Sequence, residues 1–218
     1  MKNILFALAL LISFISFGQS ADEYFDSGYD KAEAKDYYGA IADYTKAIEI
    51  NPNDALAYFN RGVSKKNLKD YYGAIADNTK AIEINPNYVD AYYNRGIAKN
   101  NLKDYYGAIS DYTRAIEINP NDASAYYNRG VAKADLKDYY GAISDYTRAI
   151  EINPNKVNAY NNRGFSKGNL KDYNGAIADY TKAIEINPNY AMAYYNRGLS
   201  KDDLKDYYGA IADYTKAI

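Results

Sequence analysis

The chain has 218 residues, a formal net charge of −2, and no Cys, His or Trp. With 48% hydrophobic and 25% charged residues it has the balance of a folded soluble protein, long enough for a normal core. The missing Cys excludes a disulfide framework, a zinc–thiolate site and a thiol nucleophile. The missing His removes the commonest general base near neutral pH, and the interspersed charge lacks the basic stripe of nucleic-acid binders.

The first twenty residues, MKNILFALALLISFISFGQS, stand apart. One Lys precedes an apolar run from Ile4 to Phe17, followed by small residues at Gly18 and Ser20. That layout predicts a signal peptide over residues 1–20, cleaved after Ser20 or, second, after Gly18. The run is short for a membrane span, which needs about 20 apolar residues. No membrane span is expected after its removal, and an exported location, periplasmic or secreted, follows.

From Ala21 onward the chain repeats itself. Prolines stand at 52, 86, 120, 154 and 188, and glycines at 28, 62, 96, 130, 164 and 198, so both series recur every 34 residues. Such a period settles architecture before anything else. The units are 21–54, 55–88, 89–122, 123–156, 157–190 and an incomplete 191–218. In the third, VDAYYNRGIAKNNLK is helix-compatible, and Asp104 is placed to cap a second helix. That second helix carries Tyr105, Ala108, Ile109, Tyr112, Ala115 and Ile116 on one face. Pro120 ends it, and Asn121 or Asp122 can cap the next helix. Each unit is thus two helices of about 14 residues, about 21 Å long. Neither covers its own apolar stripe, so the pairs must stack as an all-α solenoid. A Gly inside the first helix costs about 1 kcal/mol against Ala. Its recurrence predicts close approach of the second helix.

The period, the Gly at the eighth position, Ala74 and its equivalents at the twentieth, Ala81 and its equivalents at the twenty-seventh, and Pro86 and its equivalents at the thirty-second resemble the tetratricopeptide repeat (TPR) family. The resemblance spans residues 21–218 and implies a right-handed superhelical solenoid of antiparallel helix pairs. Departures are Tyr58, Tyr92 and Tyr126 where the family often has Trp, Lys65 and its equivalents for an aromatic, and Asn78 where other copies have Tyr44 or Tyr112. Arg61, Arg95, Arg129, Arg163 and Arg197 stand where an apolar residue is usual, and are expected to reach the Asp77 and Asp111 series.

Comparison between copies separates scaffold from candidate site. The second helix is nearly invariant, whereas the first varies at its second, ninth and twelfth positions. Positions two, five, six, nine and twelve or thirteen share one helical face. In the resembled family this face lines the concave groove that holds partner peptides. The candidate groove residues are Phe59, Asn60, Val63, Tyr93, Asn94, Ile97, Tyr127, Asn128, Val131, Asn162, Phe165, Tyr195, Asn196 and Leu199. An aromatic ring offers area at low entropic cost, and an Asn amide both donates to and accepts from a peptide bond. Basic residues at the second and fifth groove positions, which grip acidic tails in some members, are absent.

Tyr92, Tyr105 and Tyr112 read as half-buried core with hydroxyls reaching the surface. Asp135, Asp202 and Asp203 read as a solvated acidic edge and not as metal ligands. No catalytic residue, metal or cofactor is expected. Ile218 stops inside a second helix, leaving Tyr207, Ile211 and Tyr214 incompletely covered. That predicts a longer array or, failing that, self-association through this end. The expected function is a non-catalytic exported scaffold that holds a protein or peptide in its groove. The alternatives are a structural module assembling end to end, and an accessory domain of a larger envelope enzyme or secretion complex.

Overall fold

A computed structural model describes residues 19–218; the expected signal peptide, apart from Gln19 and Ser20, lies outside the described residues. The described chain is helical and without strands. The first helices of the six units are α1 (Ala21–Glu33), α3 (Ala55–Asn67), α5 (Val89–Asn101), α7 (Ala123–Asp135), α9 (Val157–Asn169) and α11 (Ala191–Asp203). The second helices are α2 (Tyr37–Ile50), α4 (Tyr71–Ile84), α6 (Tyr105–Ile118), α8 (Tyr139–Ile152), α10 (Tyr173–Ile186) and α12 (Tyr207–Ala217). Every helix packs on its chain neighbours. Successive first helices also touch, and successive second helices do not, so the stack bends with first helices on its inner side.

Local chemistry sets the helix boundaries. Asp104 accepts from the Gly107 N–H at 3.0 Å, and its equivalents do the same at every second helix. Asp122 is the residue that caps α7, accepting from Ser124 and Ala125. The hairpin inside each unit turns on Lys35, Lys69, Lys103, Lys137, Lys171 and Lys205, all left-handed with φ of 63° to 65°. Gly normally serves such a turn because it has no Cβ to clash, so sequence alone did not mark these lysines.

The mid-helix glycines do answer to a close approach. A Cβ on Gly130 would stand 2.8 Å from the Tyr146 ring, and one on Gly96 2.7 Å from Tyr112. Tyr112 and Tyr146 are buried, deeper than the half-burial expected for the tyrosine columns, whereas Tyr92 and Tyr105 are half-buried as expected. Burial, with nearby Tyr29 and Glu33, pushes the Tyr44 phenol up to about 12. Asn78 replaces this tyrosine in the second unit; it is buried, and its Oδ1 has no partner.

Between units, small apolar residues of a first helix settle on the preceding second helix: Ala125 against Ala115 and Ile116, and Ala132 against Ala108 and Tyr112. A polar chain runs beside them. Arg129 donates from Nε and Nη2 to the two carboxylate oxygens of Asp145, at 2.9 and 2.7 Å. Its Nη1 donates to Thr113 Oγ1 of the preceding unit at 3.1 Å, and Lys133 Nζ reaches Asp145 at 2.7 Å. Arg61, Arg95, Arg163 and Arg197 repeat the pattern with Asp77, Asp111, Asp179 and Asp213. The expected Arg–Asp pairing is therefore present, and the threonine is an addition that reading one unit alone does not suggest. In the first unit Ser27 and Lys31 serve Asp43. At Asp213, burial pushes the carboxyl up, but the bonds and charges of Arg197 and Lys201 prevail and hold it below the ordinary carboxylate range.

Two pairs of substitutions test this packing by urea denaturation. Gly130→Ala should destabilise by about 1–3 kcal/mol through overpacking, although Ala is the better helix former by about 1 kcal/mol. Lys103→Gly should stabilise by up to about 1 kcal/mol, relief of left-handed strain outweighing lost chain entropy. A stabilised Gly130→Ala protein would refute the ring-over-glycine account. Asp145→Ala strands two cations and should cost about 3–5 kcal/mol. Arg129→Ala leaves Lys133 on the carboxylate and should cost less, about 1–3 kcal/mol; the reverse order would contradict the pairing.

Candidate functional site

The inner face carries the fourteen candidate groove residues in varied settings. Tyr93 lies 5.9 Å from the Tyr112 ring, and its hydroxyl accepts from Asn128 Nδ2 at 2.8 Å. The Tyr127 hydroxyl accepts from Asn162 Nδ2 at 3.0 Å, and Asn196 Nδ2 donates to Asn161 Oδ1 at 3.1 Å. Each bond crosses to the next unit, 35 residues on. The asparagine amides thus tie the inner wall together; Asn128 keeps one N–H and its amide oxygen for another molecule, whereas Asn162 Oδ1 already accepts from Asn161 Nδ2 at 3.2 Å. Asn94 is buried: its Oδ1 accepts from Lys66 Nζ at 2.7 Å, and its Nδ2 donates to the Asp90 carbonyl. It does not face an incoming ligand.

The aromatic members differ too. Phe59 pairs with Tyr88 at 5.0 Å, since Asn78 offers it no ring. Val63, Ile97 and Val131 are half-buried, Ile97 against the Ala108 and Tyr112 cluster. Phe165, Tyr195 and Leu199 are exposed, as are Tyr29 and Leu56 on the same face, so the open apolar surface of the groove lies toward both ends of the stack.

Two clefts open at equivalent junctions. Between α9 and α11 a cleft of about 220 Å³ is walled by Phe165, Tyr173, Tyr180, Asn196 and Leu199, with Gly168 at its base and Asp203 on its rim. Between α1 and α3 one of about 310 Å³ is walled by Tyr29, Tyr37, Tyr44, Asn60 and Val63, with Ala32 and Asn67 in the same places. A small residue at the twelfth position of the first helix borders both, although Ala134 at the same position of the fourth unit borders neither. That position is Ala32 or Gly168 where a cleft opens, Lys66 where the chain covers Asn94, and Asn100 where a buried Oδ1 is left without a partner. Burial lowers the Lys66 ammonium below its ordinary range and raises the Asp135 carboxyl. Tyr37, Tyr44, Tyr173 and Tyr180 are contributors that the sequence reading missed. They sit on the nearly invariant second helix, where comparison between copies does not single them out.

What such a face can do is hold a chain: apolar clefts for side chains, with amide and hydroxyl groups between them for a backbone. Among the described residues no group of His, Cys, Asp or Glu could hold a metal ion, and no helix is long and apolar enough to cross a membrane.

The family model described as "Tetratricopeptide repeat" matches residues 55–88, 89–122, 123–156 and 157–190, and a second of that description matches 179–212. A "TPR repeat" model matches 22–69. No match is found among curated proteins. Among solved structures, the chain is similar to YrrB, described as a TPR protein with an unusual peptide-binding site, at 26% identity and a TM-score of 0.70, over 80% of this chain and 90% of that one. It is similar to the MamA protein at 27% identity and a TM-score of 0.73, over 78% of this chain and 93% of that one. A tetratricopeptide repeat protein from Parabacteroides merdae shares the fold at 22% identity and a TM-score of 0.77, over 90% of this chain and 78% of that one. The twelve stacked helices of the described chain and the successive matches along it place the protein in the tetratricopeptide repeat family, a fold of protein-interaction scaffolds.

Proposed function

We propose that the protein is a non-catalytic scaffold that works outside the cytoplasm and holds an extended segment of a partner protein along its inner face. The observation that carries this reading is the distribution of variation. Differences between copies gather on the face where Phe165, Tyr195 and Leu199 are exposed and the two clefts open, while the second helix stays nearly constant even at exposed positions such as Tyr72 and Tyr106. A similar solved structure, YrrB, is described as having a peptide-binding site. The periodic chain offers no asymmetric cluster of acid, base and nucleophile of the kind catalysis needs.

Export rests on residues 1–20, and the fold bears on where they would be cut. Ser20 caps α1: its Oγ accepts from the Glu23 N–H at 3.1 Å, and the Glu23 carboxylate accepts from the Ser20 N–H at 2.9 Å. Cleavage after Ser20 would remove this reciprocal cap, worth about 1 kcal/mol. Cleavage after Gly18 keeps it.

Two experiments follow. Affinity capture from extracytoplasmic extract with residues 19–218 should retain a specific protein, and Phe165→Asp with Leu199→Asp should release it. Both positions are exposed, so stability should change by less than about 0.5 kcal/mol. Undiminished capture by the folded double variant would sink the groove reading. For export, the full chain expressed in a bacterium should yield a periplasmic or secreted product whose N-terminal residue is Gln19. An intact product that stays in the cytoplasm would rule export out, and an N-terminus at Ala21 would show that the cap does not set the cut.

A further inference from the structure

One place in the inner wall stands open at α9–α11 and is filled by the chain itself at another junction. Between α3 and α5, Lys66 occupies the twelfth position, and its Nζ donates to Asn94 Oδ1 at 2.7 Å. Between α9 and α11 the equivalent residues are Gly168 and Asn196. Gly168 puts no side chain in front of Asn196. The Asn196 Nδ2 is spent on Asn161, and its Oδ1 has no partner among the described residues. The α9–α11 cleft thus offers the same acceptor that a lysine side chain uses elsewhere in the molecule.

The residues around that acceptor favour a cation brought from outside. Asn101, at the thirteenth position of α5, has as its equivalent Asp203 on the rim of the α9–α11 cleft, and the neighbouring Asp202 is exposed as well. Among the described residues no lysine or arginine borders this cleft. The two cations of α11, Arg197 and Lys201, are committed to Asp213. The α1–α3 cleft differs, because Lys35 borders it together with Glu33.

The walls suit the rest of a lysine. Phe165 and Leu199 of the first helices and Tyr173 and Tyr180 of α10 flank the cleft. Such walls cover a four-carbon stem while the charged head stays at the rim, and an aromatic face attracts an ammonium group. The chain shows this contact too: Lys156 Nζ lies over the ring of the groove residue Tyr127, 5.1 Å from its centroid. Other occupants fit less well. A carboxylate would meet Asp203, and a purely apolar side chain would desolvate Asn196 Oδ1 and Asp203 without giving either a donor.

We propose that the α9–α11 cleft is the seat of a lysine side chain from the segment held along the inner face. Its stem lies between the aromatic walls, and its ammonium donates to Asn196 Oδ1 and to Asp203. This assignment rests on the groove reading given above and adds to it the chemistry of one side chain.

The test immobilises protein purified from cells expressing the full chain and selects on it from random dodecapeptides displayed on phage. The enriched peptides should share a lysine, and a fluorescent synthetic copy gives affinities by anisotropy. Norleucine in place of that lysine keeps the stem without the charge and should weaken binding about tenfold. Asp203→Asn should weaken the lysine peptide about threefold and leave the norleucine peptide unchanged. Gly168→Lys, which fills the seat from within as Lys66 does, should abolish binding of the lysine peptide. Enriched peptides that need no lysine, yet are released by Phe165→Ser with Leu199→Ser, would overturn the assignment and leave the groove reading standing. A required lysine indifferent to Asp203→Asn and to Gly168→Lys would also overturn the assignment alone. No enrichment, or peptides that the double serine variant holds as well as before, would overturn both.

Discussion

The structure turns on one buried carboxylate per repeat. Asp77, Asp111, Asp145, Asp179 and Asp213 lie inside second helices at no more than 4% exposure. A desolvated charge of this kind must be paired and fully hydrogen-bonded. Arg and Lys of the first helix supply both pairings from positions one turn apart, which fixes how the two helices lie on each other. The arginine fork has one more N–H to place, and it goes to the preceding repeat. The intra-repeat pair and the inter-repeat contact are therefore one polar unit. Such a unit contributes modest net stability against an apolar replacement. Its effect is on register: an arginine fork offers planar, directional geometry where apolar contacts alone would allow sliding.

That division of labour explains why the inward-facing positions of the junctions vary so little. The tyrosine over glycine, the alanines between helices and the Arg–Asp–Lys–Thr unit absorb most inward-facing positions. What remains is the inner face of the first helices. There local shape differs from junction to junction: clefts open in front of tyrosines beside Ala32 and Gly168, while Lys66 closes the space over Asn94. The asparagine-to-tyrosine bonds between repeats stiffen this face. A groove so tied keeps its shape before a partner arrives, and less ordering entropy opposes binding.

Most of the architecture was legible in the sequence because it is local and periodic. Proline spacing, aspartate caps and apolar residues three and four apart gave the helices and their pairing, and recurrence at the eighth position pointed to the close approach. Three features were not legible. The left-handed lysines carry none of the glycine signature of such turns. The Thr–Arg contact spans 16 residues, and the Asn–Tyr bonds span 35, so both depend on how one repeat is offset from the next. The clefts do not follow from the twelfth position alone: Ala134 is as small as Ala32 and lines neither. Helical periodicity identifies a face but does not say which side chains on it are already engaged, as Asn94 and Asn128 are.

The account stands or falls on whether the arginine couples neighbouring repeats as well as pairing within its own. A double-mutant cycle on Thr113→Val and Arg129→Met, read by urea denaturation, isolates the inter-repeat contact from the Asp145 pair. The structure predicts a coupling free energy of about 1 kcal/mol. A coupling of zero within error would mean that each pair is closed on itself and that apolar packing alone sets the register of the array.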